Sequence, residues 1–351
     1  MQQDSQALAG FGWGPFFQAQ LGVAELDRTL AVRVMAVHRG ALDVEAPGLA
    51  ARVAAPRADR EDDRPTVGDW LLLDRASGRP LRLLGRRSLF RRRAAGTGRA
   101  FQLIAANVDT LFVVSSCNRD FNVARLERYL ALARQAEVTP VVVLTKADTA
   151  DDVDGYRSRA TALLPGLVVE AVDARAPEAT ACLAPWCGDG QTVALLGSSG
   201  VGKSTLVNSL SGRAGQATAG IRADDDKGRH TTRSRSLHRL PSGGWLVDTP
   251  GMRELQLADV ETGLDAVFAD VAELAATCRF ADCRHQSEPG CAVRAAIADG
   301  RLDAERLRRH AKLAAEEAHN RRSLAERHAL ERGFGRRARN AMREKRNRQG
   351  G

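Results

Sequence analysis

Between residues 28 and 95 apolar and polar positions alternate in short runs: RTLAVRVMAVHRG, ALDVEA, ARVAAP, then GDWLLL and RPLRLLGRR after an acidic loop at Asp59 to Asp63. Period two in runs of this length, punctuated by turn residues, predicts short β-strands with one face buried. Five such strands predict a small β-barrel, and the pattern fits an oligonucleotide-binding barrel or an SH3-like barrel equally well. From about residue 100 the texture changes to unbroken apolar runs, LFVVSS (111–116), VVVLT (141–145), LVVEAV (167–172), TVALLG (192–197) and WLVD (245–248). Runs without alternation, separated by helical stretches, predict the parallel strands of an α/β domain, buried on both faces. Between the first two, Val123, Leu126, Leu130 and Ala133 recur at helical spacing behind Asn122, a ready N-cap, so the crossover is predicted to be a helix. Residues 301–332 contain neither Gly nor Pro and are rich in Ala, Leu, Glu and Arg, which predicts another helix, and Gly333 and Gly335 open a basic tail. No internal repeat is present.

At 351 residues the chain is long enough for two or three domains. No stretch approaches the roughly 18 consecutive apolar residues of a membrane span. The start, MQQDSQALAGFGWGPFFQAQ, lacks the basic residues and apolar run of a secretory signal, so a soluble, cytoplasmic protein with no membrane partner is expected. The net charge of +9 is unevenly placed. Residues 331–351 carry eight Lys/Arg against Glu331 and Glu344, and residues 79–99 carry eight arginines and no acid. Such blocks suit a polyphosphate partner, because neutralising phosphates releases condensed counterions. The block at 79–99 adjoins the barrel strands and is therefore expected to face RNA. The tail has the alternative of a solubilising segment.

Three short motifs carry the chemistry. Gly197-Ser198-Ser199-Gly200-Val201-Gly202-Lys203-Ser204 follows an apolar strand and precedes a helical stretch, the context of a phosphate-binding loop. Its glycines let backbone N–H groups close around phosphate oxygens, Lys203 reaches the β and γ phosphates, and Ser204 offers a hydroxyl to Mg²⁺. Asp248-Thr249-Pro250-Gly251 ends a strand about forty-five residues later, where Asp248 can hold a Mg²⁺-bound water and the Gly251 N–H can sense a γ-phosphate. Thr145-Lys146-Ala147-Asp148 ends an earlier strand. The Asp148 carboxylate can accept two hydrogen bonds from a guanine edge, and the Lys146 stem can cover the ring. Adenine offers no such pair of donors, so these motifs together indicate GTP. The base-reading segment precedes the phosphate loop, the reverse of the usual GTPase order, so the domain reads as circularly permuted. Between phosphate loop and D-T-P-G, Gly228-Arg229-His230-Thr231-Thr232 has the position of a switch, with Thr231 or Thr232 as a second Mg²⁺ hydroxyl. Met252 stands where a water-orienting glutamine often follows D-x-x-G, which leaves His230 either to position the water or to be a solvated loop residue.

Cys278, Cys283, His285 and Cys291 offer three thiolates and one imidazole within fourteen residues, enough for a closed tetrahedral Zn²⁺ site of structural type. Cys117, Cys182 and Cys187 have no further ligand nearby and read as packing residues.

With these motifs in view the chain resembles the RsgA (YjeQ) family, bacterial GTPases that depend on the small ribosomal subunit and act in its late maturation. The resemblance rests on Gly68-Asp69-Trp70, QLIAANVDTLFVVSSCN, the permuted boxes, GSSGVGKSTLVN, GRHTT, DTPGMRE and CRFADCRHQSEPGCAV. It implies an oligonucleotide-binding (OB-fold) barrel, a circularly permuted α/β P-loop GTPase domain and a C-terminal zinc-knuckle and α-helical domain. Together these would clamp ribosomal RNA, with slow GTP hydrolysis stimulated by the subunit. It also implies nucleotide contacts by Thr205 and by Asp173-Ala174, which stands where Ser-Ala is usual. Thr145 replaces the commoner Asn of the base-reading box, and Arg233 follows only two threonines.

The expected division is an N-terminal extension (1–27), barrel (28–98), GTPase domain (99–256), zinc-binding and helical domain (257–332) and basic tail (333–351), in a monomer. A competing reading is a nucleotide-gated RNA-binding assembly factor with negligible turnover. A third is a metal-delivery GTPase, against which a complete tetrahedral ligand set argues.

Overall fold

The alternating runs and the unbroken runs become two kinds of sheet in the computed structural model, which describes residues 5–93, 101–212, 235–248 and 260–318. Strands β1 (Thr29–His38), β2 (Ala41–Ala46), β3 (Leu49–Ala54), β4 (Trp70–Asp74) and β5 (Pro80–Leu83) pair antiparallel in the order β3-β2-β1-β4-β5. In β2 the apolar positions Leu42, Val44 and Ala46 are buried, and the residues between them are partly exposed. Among the described residues no ladder joins β3 to β5.

The N-terminal extension is part of this core. Helices α1 (Ser5–Ala9), α2 (Pro15–Gln18) and α3 (Val23–Arg28) bring Trp13 and Phe17 against Trp70, with ring centroids 4.8 and 5.8 Å from the Trp70 ring. Strands β6 (Leu89–Arg93) and β7 (Phe101–Ala106) form a separate antiparallel ribbon.

Strands β8 (Thr110–Ser116), β9 (Thr139–Thr145), β10 (Val168–Ala171), β11 (Thr192–Gly197), β12 (Arg235–Arg239) and β13 (Trp245–Asp248) lie in the order β10-β9-β8-β11-β13-β12. All neighbours are parallel except β12, which runs antiparallel to β13. The unbroken apolar runs have a plain cause. Leu111 and Val113 of β8 and Val142 and Leu144 of β9 face one layer, packed with Leu126 and Leu130. Phe112, Val114, Val141 and Val143 face the opposite layer, packed with Leu183 and Leu206. Each face therefore demands an apolar residue at every second position, and the two demands interleave. The first layer holds α4 (Val123–Gln135) and α5 (Val153–Thr161), and the second holds α6 (Lys203–Leu210) and the 3₁₀ segment Pro177–Trp186. Asn122 caps α4 as the sequence predicts, its side chain accepting the Arg125 N–H at 3.0 Å.

Helix α7 (Glu261–Val267) and the helix over residues 304–318 pack on α4, and α8 (Ala269–Ala276) and α9 (Ala292–Ala298) join the same core. Gly263 comes so close to α4 that a Cβ there would stand 2.1 Å from the Ala131 carbonyl oxygen. The remainder of the predicted 301–332 helix, residues 319–332, and the basic tail lie outside the described residues.

Strand β12, absent from the sequence reading, fuses the two sheets into one of eleven strands. It pairs with β13 on one side and with β1 on the other, through Ala36–Ser236 and Val37–Arg235. The buried Arg33 guanidinium crosses the same joint, donating to the Phe11 carbonyl at 2.5 Å and to Thr192 Oγ1 at 2.7 Å. Burial pulls that guanidinium down to about 10. Among the described residues no helix is long and apolar enough to cross a membrane.

Candidate nucleotide and metal sites

In a parallel sheet the crevice beyond the carboxyl ends of the strands is the usual ligand position. Here the ends of β9, β10 and β11 carry Thr145-Lys146-Ala147-Asp148, Asp173-Ala174 and the glycine-rich segment that begins at Gly197. The chain turns at the end of β9 through Lys146 in the left-handed region (φ 58°), and a single 3₁₀ turn, Ala147–Thr149, then carries Asp148. Residues 198–202 lead from β11 into α6, with Gly200 and Gly202 at φ 79° and 91°, a conformation that a side chain would strain. A cavity of about 220 Å³ is lined by Thr145, Lys146, Asp148, Asp173, Ala174, Gly202 and Thr205 among others. Segments from three strand ends thus converge on one space.

The pieces are tied together by polar contacts. Thr145 is fully buried, and its hydroxyl lies 2.5 Å from the Val201 carbonyl and 3.1 Å from that of Ser115. Val201 itself is a core residue, so within the loop its backbone, not its side chain, is available to a ligand. Lys203 Nζ donates to the Gly197 carbonyl at 2.7 Å and to that of Ser198. Ser204 and Thr205 follow in the first turn of α6. Ser209 Oγ holds the Ala174 carbonyl at 2.6 Å. The Asp173 carboxyl is held below its ordinary range by the Arg175 backbone N–H and, after it, by the Arg175 side chain. Arg175, which the sequence reading passed over, also reaches Asp148. No periodicity or spacing marks that contact in the sequence.

Strand β13 ends on Asp248, paired in register with Ser236. Thr249, Pro250 and Gly251, and the switch candidates His230, Thr231 and Thr232, lie outside the described residues.

The second site is in the loop between α8 and α9. The ligand atoms of Cys278, Cys283, His285 and Cys291 all lie within 4.8 Å of one another. His285 Nδ1 is 3.7 Å from Cys278 Sγ and 3.4 Å from Cys291 Sγ, and the two sulfurs are 3.9 Å apart. A tetrahedron with metal–sulfur bonds of about 2.3 Å has sulfur–sulfur edges of roughly 3.8 Å, so the donors fit a single closed metal site. The loop needs left-handed turns at His285 (φ 61°) and Gly290 (φ 74°) to fold four donors onto one point. Cys291 also caps α9, its sulfur 3.5 Å from the Arg294 N–H. The other thiols behave as packing groups: burial pushes Cys187 up to about 12 and also raises Cys117 and Cys182.

Four arginines of the 79–99 block have acidic partners. Arg82 pairs with Glu25, Arg86 with Asp69, Arg87 with Asp109 and Arg91 with Asp62. Arg86 is nearly buried, both its carboxylate contacts at 2.8 Å. The segment holds no acid of its own, but the fold brings acids to it from elsewhere, so these four arginines are engaged in internal pairs.

Comparison with known proteins agrees with the permuted arrangement. The family model for the RsgA GTPase matches residues 83–258. "Small ribosomal subunit biogenesis GTPase RsgA 2" of Vibrio parahaemolyticus is 53% identical over 347 residues, covering 98% of this chain and 95% of that one. "Small ribosomal subunit biogenesis GTPase RsgA" of Mesorhizobium japonicum is 52% identical over 320 residues, covering 90% and 91%. Among solved structures, YjeQ from Thermotoga maritima superposes with a TM-score of 0.58 at 23% identity, over 81% of this chain and 97% of that one. YloQ, described as a circularly permuted GTPase, gives 0.57 at 22% identity over 82% and 94%. These last two speak for the fold. The motifs, the topology and the extent of these matches lead to one conclusion: the chain belongs to the RsgA GTPase family.

Proposed function

We propose that this protein is a GTP hydrolase that binds the small ribosomal subunit and acts in its late maturation. The observation that carries the reading is the single cavity shared by Asp148, Asp173-Ala174, Gly202 and Thr205, which joins a base-reading carboxylate to a phosphate loop. The two relatives named above, more than half identical over most of the chain, carry small ribosomal subunit biogenesis in their names.

In this reading Asp148 accepts the guanine N–H groups, Lys146 covers the ring, and Ala147, Asp173 and Ala174 complete the base side. The backbone of residues Gly197 to Gly202 wraps the phosphates. Lys203 leaves the Gly197 and Ser198 carbonyls for the β and γ phosphates, where its charge opposes the charge that develops on transfer. Ser204, one of Thr231 and Thr232, and Asp248 through water would hold Mg²⁺, which when bound neutralises the phosphate oxygens. Gly251 senses the γ-phosphate, and His230 orients the attacking water. The four donors at Cys278, Cys283, His285 and Cys291 suit Zn²⁺ in a structural role, since a closed set leaves no position for substrate. The five N-terminal strands, with β1 paired to both β2 and β4, are read as an oligonucleotide-binding barrel for ribosomal RNA. The expected domain limits are kept, with residues 8–17 packed into the core of the N-terminal strands and α7 to α9 into that of α4, and the protein is taken as a cytoplasmic monomer.

The test is GTP hydrolysis by the purified protein with and without small ribosomal subunits, with large subunits and ATP as controls. Stimulation of several orders by small subunits alone is expected, with His230→Ala losing most of it. GTP binding without stimulation would replace the enzyme by a nucleotide-gated RNA binder.

A further inference from the structure

The base-reading carboxylate already has a partner of guanine-like chemistry. Arg175 Nη2 donates to Asp148 Oδ2 at 2.5 Å, at the rim of the cavity that both residues line. The guanidinium is a planar fork of N–H donors, and so is the N1–H and amino edge of guanine. A guanine edge paired to both oxygens of Asp148 would compete with Arg175 for Oδ2, the oxygen that its Nη2 holds.

The arginine is also tethered for a short excursion. Its Nε lies 3.2 Å from Asp173 Oδ1, and its backbone N–H donates to the same oxygen at 3.0 Å. Where the family resemblance would put serine, this chain has an acid that keeps the displaced guanidinium beside the base. Arg175 is mostly exposed and makes no other hydrogen bond that would anchor it elsewhere among the described residues.

We propose that Arg175 is a latch on the guanine site: its guanidinium stands in for the guanine edge on Asp148 in the empty protein, yields to the base on binding, and retakes the carboxylate as the base leaves. The proposal rests on the reading of Asp148 as the guanine-binding residue. Such a latch stabilises the empty state, so it lowers affinity for guanine nucleotides and speeds their release, giving the protein exchange of its own. An exposed ion pair of this kind is worth about a two- to five-fold effect.

Stopped-flow binding of N-methylanthraniloyl-GDP to the full chain tests it. Arg175→Met keeps the aliphatic stem and removes the fork; it is expected to tighten the Kd about two- to five-fold, mainly through slower release. In the parent, rising salt screens the pair and narrows the gap to Arg175→Met. In an Asp148→Ala background Arg175→Met should add nothing, because the latch then has no carboxylate to hold. Unchanged or weaker GDP binding by Arg175→Met would overturn the latch, the latter making Arg175 a contact of the bound nucleotide. Parental GDP binding by Asp148→Ala would remove the base-reading assignment and the latch with it, whereas a failure of Arg175→Met alone leaves that assignment standing.

Discussion

Thr145 shows how much one hydroxyl can carry. It replaces the expected Asn, is fully buried, and ties the end of β9 to two carbonyls, one of them inside the phosphate loop. Gly202 packs against it, where a Cβ would come within 3.2 Å of Thr145 Oγ1. Thr145→Val keeps the shape and removes the hydroxyl donor of the Val201 carbonyl, the nearer of the two acceptors, a loss of about 1–3 kcal/mol. Because Val201 belongs to the loop, part of that loss is expected as weaker GDP binding and part as a lower melting temperature. Thr145→Ser, which keeps the hydroxyl, should retain parental affinity. Titration calorimetry with GDP decides it, and a Thr145→Val protein with the parental Kd would refute the tether. What was legible here followed the reach of a motif. Residues 197–204, residues 145–148 and the cluster from Cys278 to Cys291 are each short stretches of chain, so each reads as a motif, and the fold gathers the four Cys/His donors within 4.8 Å of one another. Thr145 to Val201, Arg175 to Asp148 and Arg86 to Asp69 span 56, 27 and 17 residues. Pairs like these are set by sheet order, which no local pattern encodes.

At the scale of elements, the strands and helices were legible wherever one rule governed a whole run: alternation in β2, two interleaved faces in β8 and β9, an N-cap before α4. Strand β12, RSLHR, escaped because its polar positions point partly to solvent and only Leu237 is buried. The join between α4 and the C-terminal helices was equally invisible, since it depends on a buried acid. Glu127 of α4 is fully buried, with Arg309 Nε at 2.8 Å and Arg306 Nη1 at 3.2 Å. Arg306 continues to Asp270 of α8 at 2.5 Å. Burial pushes the Glu127 carboxyl up, with the two arginines opposing. Removing the charge with Glu127→Gln leaves two poorly solvated guanidinium groups against a neutral amide, and breaking a buried pair costs about 3–5 kcal/mol. The expected outcome is a lower denaturation midpoint, with the 304–318 helix loosening from α4. Limited proteolysis of the variant should then cut within residues 260–318 before it cuts the parallel strands. Parental cleavage and an unchanged midpoint would mean that Gly263 and the apolar contacts hold the domain alone.

For the whole molecule, the continuous sheet joins the five N-terminal strands to the six that follow residue 110 through the β12–β1 ladder. Strand β12 starts where the segment bearing His230, Thr231 and Thr232 ends, and β13 ends where Thr249 to Gly251 begins. Ser236 and Asp248 face each other in that pair, and β12 also carries the ladder to β1. Arg33 locks the joint from inside, and Trp245 of β13 donates its indole N–H to the Gly10 carbonyl of the N-terminal segment at 2.9 Å. If these contacts make one cooperative unit, the slowest amides of β1 and β11 open only with global unfolding. A ligand at 100 times its Kd then stabilises both by about 2.7 kcal/mol, which slows their exchange roughly 100-fold. Hydrogen exchange with and without saturating GDP measures this directly. Equal slowing in residues 29–38 and 192–197 is expected, although no residue of β1 lines the cavity beside Asp148. Slowing confined to 192–197 would mean that the five N-terminal strands open independently, and the β12 ladder would then be a contact rather than a transmission path.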